Sequence, residues 1–399
     1  MARISTDILI SGGGVAGLTA AAAFGSAGFN VICVDPEPPV TSATATGADL
    51  RSTAFLQPAI EVLQAAGLWD RLQPPAAPLQ IMRIIDAGGA QNEPRRIKDF
   101  NASDVSDQPF GYNLPNWLLR REMVARLAEL PNVDFRPGVA TKSFLARQTE
   151  ARIALTDGTT VSARLLIGAD GRNSFVRQSL GIPVRTWRYG QKALTFAVTH
   201  PIPHDNISTE IHRTGGPFTL VPLPDRDGMP ASAVVWMAEG PEVYRLNALD
   251  TPEFEAAINA RSCHILGPLT LASPRMVWPI ISQMAQDMTA TRTALIAEAA
   301  HVMPPIGAQG LNMSLADIAT LLGLARATPG TLGDDAMLAA YQNARHRDIQ
   351  TRVIGIDALN RASMVAAPTL RDLRGVALDA LYAVTPLRKT LMRAGLGVR

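Results

Sequence analysis

A chain of 399 residues, 47% hydrophobic and 18% charged, is long enough for two or three domains, one large core or a discontinuous arrangement. Its net charge of +2 argues against a general nucleic-acid role. Its two cysteines, Cys33 and Cys263, stand too far apart in sequence to suggest a disulfide framework or a zinc site, and suit a reducing, cytosolic compartment.

Between Asp7 and Phe24 an apolar strand runs into a glycine cluster, and the cluster into an alanine-rich helix. The spacing Gly12-x-Gly14-x-x-Gly17 is the dinucleotide fingerprint. Gly12 allows the tight turn, Gly14 lets a pyrophosphate approach the backbone, and Gly17 lets the helix pack against the strand. Val15 and Ala16 open that helix, whose N-terminus takes the phosphates. A second strand ends in Asp35, where a ribose hydroxyl needs an acceptor. NAD and FAD are both compatible with this stretch. Ile8 to Val34 is 27 residues without a charge, behind Arg3, which imitates a signal peptide or a membrane span; six glycines and Asn30 argue against that. Cys33 falls inside the second strand and reads as a packing residue.

A surface loop follows to Asp49. Arg51 beyond it is either a solvated loop charge or a partner for a pyrophosphate. A helix from Pro58 to Ala66 ends at Gly67, and residues 74–110, with a strand-like Leu79–Ile85, take the chain out of the first domain. The helix Trp117–Leu130 carries Arg120 and Arg121 near its start, where the helix dipole favours acids; a bound anion would remove the conflict. Short strands lead to Arg164–Gly168, a buried strand that stops at Gly168-Ala-Asp170-Gly171 and starts another helix. From Tyr189 to Trp278 the pattern is β-rich, interrupted by a helix from Pro252 to Ala260, and reads as a second, antiparallel-sheet domain. Thr293–Ala297 is again a strand, followed by Glu298 and a turn. The run Pro304-Pro305-Ile-Gly307-Ala-Gln-Gly310-Leu311-Asn312 then opens a helix through Arg326, and 334–363 and 368–395 read as helical.

Three strand-to-turn elements therefore stand far apart in sequence, at 7–17, 165–174 and 295–312, and one flat nucleotide touching all three is the economical explanation. In this order and at these distances they resemble the FAD-dependent aromatic hydroxylases with the p-hydroxybenzoate-hydroxylase fold. The Pro304–Asn312 run is similar to that family's flavin-ring loop, Gly168–Gly171 to its second flavin motif, and Arg51 and Arg120 to its flavin-side arginines. A narrower likeness, to the ubiquinone-biosynthesis hydroxylases, is carried by Tyr189–Leu194, Gly216–Leu223 and the basic C-terminal helix.

The resemblance implies an α/β (α+β) fold. A discontinuous Rossmann-like FAD-binding domain would cover 1–75, 116–180 and 285–330, with a β-rich substrate domain at 76–115 and 181–284 and a C-terminal helical segment at 331–399. It implies tightly held FAD, with NAD(P)H or another electron donor bound transiently because only one fingerprint is present. The implied partners are O2 and a polyprenylated aromatic molecule, with no nucleic acid and no metal. FAD would contact Gly12, Gly14, Val15, Ala16, Gly17, Asp35, Arg51, Arg120, Asp170, Gly171, Glu298, Gly307 and Asn312, with Pro305, Gly310 and Leu311 beside the reacting ring and no general base assigned. The implied chemistry is ring hydroxylation through a flavin C4a-hydroperoxide kept dry in an apolar pocket between the domains. The helix N-terminus near Leu311 would face the N1–C2=O edge. The sequence departs from the family at Ala297-Glu298, where Gly-Asp is usual and the Asp holds the ribityl chain, and at Ser314, where glycine is common.

His301 reads as packing or hydrogen-bonding below the flavin, and His200, His204, His212 and His264 as core or surface residues. From Leu370 the chain is basic and amphipathic: either a packing helix with a solvated face, or a surface for a membrane or a partner within a biosynthetic complex. The expected location is the cytoplasm, with peripheral contact on the inner membrane under that second reading. Two further readings stay open: the same chemistry on a soluble aromatic substrate, and a flavin-binding, non-catalytic subunit of a biosynthetic complex, hinted at by Glu298.

Overall fold

The computed structural model describes residues 3–87, 93–364 and 379–396. A mainly parallel sheet is built from β1 (Arg3–Ser11), β2 (Val31–Asp35), β3 (Val133–Pro137), β4 (Thr160–Gly168) and β5 (Thr293–Leu295). From one side its order is Thr289–Ala290, β5, β4, β1, β2, β3, so β1 is paired on both edges. Ile8, Leu9 and Ile10 are fully buried, the unbroken apolar run of a strand covered on both faces. The helix α1 (Val15–Ser26) is buried from Ala16 to Gly25, and its alanines let it lie close to the sheet. Burial also pushes the Cys33 thiol up, out of reach of ionisation, as suits a packing residue.

In a parallel sheet the carboxyl ends share one edge, the edge where open α/β sheets bind ligands. Here those ends are hydrogen-bonded in series. Gly12 N donates to Val34 O at 2.8 Å, Ala169 N to Ser11 O at 2.8 Å, and Ile296 N to Gly168 O at 3.0 Å. The three turns that sequence separates are thus neighbours.

A second, nine-stranded sheet centres on the long strand Val184–Thr199, which lies between Met229–Glu239 and Met276–Ala285. Its pairings are antiparallel apart from Ile81–Asp86 against Ile207–His212, which run parallel. The sequence pattern missed a helix in this region, Gly240–Ala248, started by a proline in its first turn. Ser52–Leu56, Ala77–Leu79 and Gly111–Pro115 form a third, small sheet. After β5 the chain crosses between the large sheets, because His301–Val302 pairs with Met284 and Gln283 at the edge of the second.

Three more helices pack into the core of the first sheet: α2 (Asn116–Ala128), α3 (Gln309–Ala327) and α4 (Asp335–Met364). Met337, Tyr341 and Ile349 of α4 join the same core as β1 and α1. A last helix, α5, covers Thr385–Leu396. Of the basic segment that begins at Leu370, residues 370–378 and 397–399 lie outside the described residues. Among the described residues no helix is long and apolar enough to cross a membrane.

Candidate active site

The fingerprint glycines do different jobs. Gly12 sits at φ +116°, and a Cβ there would lie 2.3 Å from Ala169 O. A Cβ on Gly17 would lie 1.9 Å from Gly12 O, so α1 can cross β1 only with glycine at that point. At Gly14 a Cβ would meet no protein atom within 4 Å. That opening faces the start of α1, whose first turn has no side-chain cap and whose ladder begins only at Leu18 N to Gly14 O. The free N–H groups of Val15, Ala16 and Gly17 are the donors an anion needs. Asp35 accepts from Gly13 N through Oδ2 and from Glu37 N through Oδ1, and each oxygen keeps a lone pair for a hydroxyl. Gly13 itself is packed against Asp35, a constraint invisible at an unspecified motif position.

The two candidate arginines meet at a residue the sequence reading left unassigned. Asp49 receives Arg51 in a two-pronged bridge, Nε to Oδ1 at 2.8 Å and Nη2 to Oδ2 at 2.7 Å. Asn116 Nδ2 donates to the same carboxylate at 3.0 Å, and Arg120 Nη2 lies 3.6 Å away. Burial alone would raise the Asp49 carboxyl; Arg51, Asn116 and Arg120 outweigh it and hold the group below the ordinary carboxylate value. The Arg51 guanidinium also lies over the Trp278 ring at 4.0 Å, and Trp278 is tied to the second sheet by its Nε1 on Thr195 Oγ1 at 3.2 Å. Arg51 thus ties the segment before the small third sheet, and the start of α2, to the nine-stranded sheet.

At the second turn, Asp170 Oδ1 accepts from Ser174 Oγ and Oδ2 from Val176 N at 3.0 Å, so the carboxylate secures the start of the short helix Phe175–Ser179. Gly171 is at φ +79° with open space beside it. At the third turn Glu298 is exposed and its charge acts on Arg51. Ala297, where the resemblance implies glycine, is buried and at φ +55°. A left-handed alanine costs about 1–2 kcal/mol, part of which glycine returns through its freer unfolded chain. Ala297→Gly should therefore gain about 0.5–1 kcal/mol in urea unfolding. A loss instead would mean that packing of the methyl group outweighs the strain.

The ring loop is held from several sides. Pro305, Gly307 and Gly310 are exposed, Ala308 is the left-handed N-cap of α3, and that helix start has no side-chain cap. The N–H groups at Gly310 and Leu311 therefore face outward, with open space beside Gly310. Asn312 does not direct its side chain there. Its Oδ1 accepts from Leu56 N at 2.8 Å, and its Nδ2 donates to Ala54 O at 2.7 Å and Ala308 O at 2.6 Å. What Asn312 can offer a cofactor is main chain.

Beneath the loop, Asp317 is fully buried. It accepts from Arg345 Nε at 2.8 Å and Ala297 N at 3.1 Å, and its Oδ2 lies 2.7 Å from His301 Nε2. Burial would raise the Asp317 carboxyl, but His301 and Arg345 hold it below its ordinary value. His301 is a hydrogen-bonded support, as its expected packing role requires. Of the other histidines, His200 is buried between Ile202 O and Ser232 Oγ, and His212 pairs with Glu210.

The fold and these turns have recognisable counterparts. The description "FAD binding domain" matches residues 5–354. The ubiquinone hydroxylase UbiL of Rhodospirillum rubrum is 33% identical over 401 residues, covering 98% of this chain and 89% of that relative. The 3-demethoxyubiquinol 3-hydroxylase of Escherichia coli is 25% identical across the full length of both chains. Among solved structures, p-nitrophenol 4-monooxygenase from Pseudomonas putida has the same fold over both whole chains, with a TM-score of 0.80 at 18% identity.

Proposed function

The chain belongs to the family of FAD-dependent hydroxylases that carry this FAD binding domain, and we propose that it hydroxylates the aromatic ring of a polyprenylated phenol or quinone precursor in ubiquinone biosynthesis. The observation that carries the chemistry is the convergence of three turns at the carboxyl ends of β1, β4 and β5. The substrate class rests on full-length relatives that bear the names of ubiquinone hydroxylases.

In this reading the N-terminal N–H groups of α1 hold the FAD pyrophosphate in the opening beside Gly14, and Asp35 accepts from the adenosine ribose. Arg51 and Arg120, set by Asp49, would supply positive charge to the cofactor, and Asp170, Gly171 and Glu298 would hold its middle. The N-terminus of α3 at Gly310 and Leu311 would stabilise the ring edge that gains negative charge on reduction, with Pro305 and Gly307 shaping the turn. The chemistry that bound FAD would supply at this site is two-electron reduction by a nicotinamide-type donor and activation of O2, with one oxygen atom going to the ring and the other to water.

Purified yellow protein, incubated with NAD(P)H, a prenylated phenol and ¹⁸O2, should give a product one labelled oxygen heavier. NAD(P)H oxidation that yields only hydrogen peroxide, across prenylated phenols, would refute the substrate assignment. Quinone-intermediate profiling in a deletion strain then names the ring position by the precursor that accumulates.

A further inference from the structure

The nine-stranded sheet has two faces. One is backed by the helices Gly240–Ala248 and Thr251–Arg261, where Ile211, Phe218 and Trp236 share a core with Val243 and Phe254. On the other face, Ile306 of the ring loop and Val235 pack against Ala193, Met237 and Ile280. Glu210 pairs with Thr219, and Thr219 with Val235, so these three side chains share that second face. His212, two residues further along the strand, shares it too. Glu210 therefore stands on the ring-loop side of the sheet, two strand spacings or about 10 Å from Val235. There it forms a pair: His212 Nε2 lies 2.7 Å from Glu210 Oε1, with the side chains 16% and 20% exposed. Burial would raise the Glu210 carboxyl, but His212 outweighs it and holds the group below its ordinary value. An ionised carboxylate only accepts, so Nε2 carries the proton and Nδ1 keeps its lone pair. Nδ1 is buried and, among the described residues, has no hydrogen-bond partner. A buried acceptor with no donor is costly, and a ligand hydroxyl is the donor that would satisfy it. The other charges on this face are taken up by one another. Asp86, level with His212, meets Arg95 at 2.7 Å, and Arg96 and Lys98 meet Asp379 at 2.9 and 2.8 Å. Arg213, one residue on, acts on Arg261 and Cys263.

We propose that His212 is the catalytic base that takes the hydroxyl proton of a phenolic substrate through Nδ1, with Glu210 as its positioning residue. The assignment rests on the hydroxylase reading above. The proton moves to Nδ1 while its electron pair stays on the phenolic oxygen, which enriches the ring for attack by an electrophilic oxygen atom. Once that atom has bonded to a ring carbon, the hydrogen of that carbon leaves as a proton and ends on the new oxygen. His212 then returns its own proton to the phenolic oxygen, so the pair finishes the cycle unchanged. Glu210 fixes the tautomer of His212 and stabilises the imidazolium between those steps, as a carboxylate does for a catalytic histidine elsewhere.

The first probe is a prenylated nitrophenol, titrated into full-length, FAD-loaded protein without reductant at a pH below the probe's own pKa. By difference absorbance, wild type should bind it as the phenolate, and His212→Gln as the neutral phenol. With NAD(P)H and a prenylated phenol lacking the nitro group, kcat of His212→Gln should fall about 10²–10⁴-fold while flavin absorbance and KM hold. Its residual rate should climb with pH more steeply than that of wild type, as the free phenol ionises unaided. Glu210→Gln, which still accepts from Nε2, should lose less and guards against misfolding of the first variant. Equal phenolate on wild type and His212→Gln, or equal turnover by wild type and both variants, overturns the proposal and leaves the hydroxylase reading standing. Loss of flavin in both variants overturns it too, because it makes the pair structural. Phenolate on wild type alone, with no oxygen transferred to any phenol, would support the pair and sink the hydroxylase reading.

Discussion

Gly14→Val should give a folded but colourless protein. A Cβ there meets no protein atom within 4 Å, so the apo fold should accommodate the branched side chain, which would fill the space the pyrophosphate needs. Loss of two charged hydrogen bonds at a helix N-terminus costs about 3–6 kcal/mol, a weakening of FAD binding on the order of 10²–10⁴-fold. Gly17→Val offers the contrast. Its Cβ would sit 1.9 Å from Gly12 O, backbone against backbone, and the crossing of α1 over β1 cannot close. That variant should lose the fold along with the flavin. The pair is read by absorbance at 450 nm and by far-ultraviolet circular dichroism. A yellow Gly14→Val protein with normal flavin content would sink the assignment of the opening as the pyrophosphate site.

Asp317→Ala should be the most damaging change made away from any ligand. It strands Arg345 and His301 in the core and removes the acceptor of Ala297 N–H. Breaking a buried ion pair on one side costs about 3–5 kcal/mol, a large share of the roughly 5–15 kcal/mol that holds a domain together. Urea unfolding gives the number directly. The pH dependence has a defined sign. The folded-state carboxyl lies below its ordinary value near 4, so its contribution is full above that pH and fades as pH falls through the folded-state value. Wild type should therefore show an acid-linked loss of stability below about pH 4 that Asp317→Asn lacks. Parallel acid curves for the two proteins would assign the loss to other carboxylates.

The parts of this site legible in sequence were those written in short-range chemistry. The Gly12–Gly17 spacing, Asp170-Gly171 and the Pro304–Asn312 run each announce a strand end and a turn within a few residues, and their order named the cofactor. What stayed hidden depends on partners far along the chain. Nothing near Asp49 foretells that Arg51, Asn116 and Arg120 converge on it, and nothing near Arg51 foretells Trp278. Asn312 was legible as a member of the loop, but its side chain is taken up by Ala54 and Leu56, which only the fold brings alongside. The helix Gly240–Ala248 was overlooked because its apolar residues merge with the strand before it, leaving the first-turn proline as the sole mark.

The series of bonds from Val34 through Gly12, Ser11, Ala169 and Gly168 to Ile296 also has a meaning for biogenesis. As the ribosome releases the chain, β1 and β2 can pair at once, but β1 waits for β4, and β4 waits for β5. Closing those long loops is entropically slow, and until it happens the apolar edge of β1 is exposed. Asp317 and Arg345 lock the last turn only after still more chain has emerged. The nucleotide fingerprint is made before β4, β5 and Asp317 and becomes competent only after them, so on this reading FAD capture follows assembly of the whole sheet.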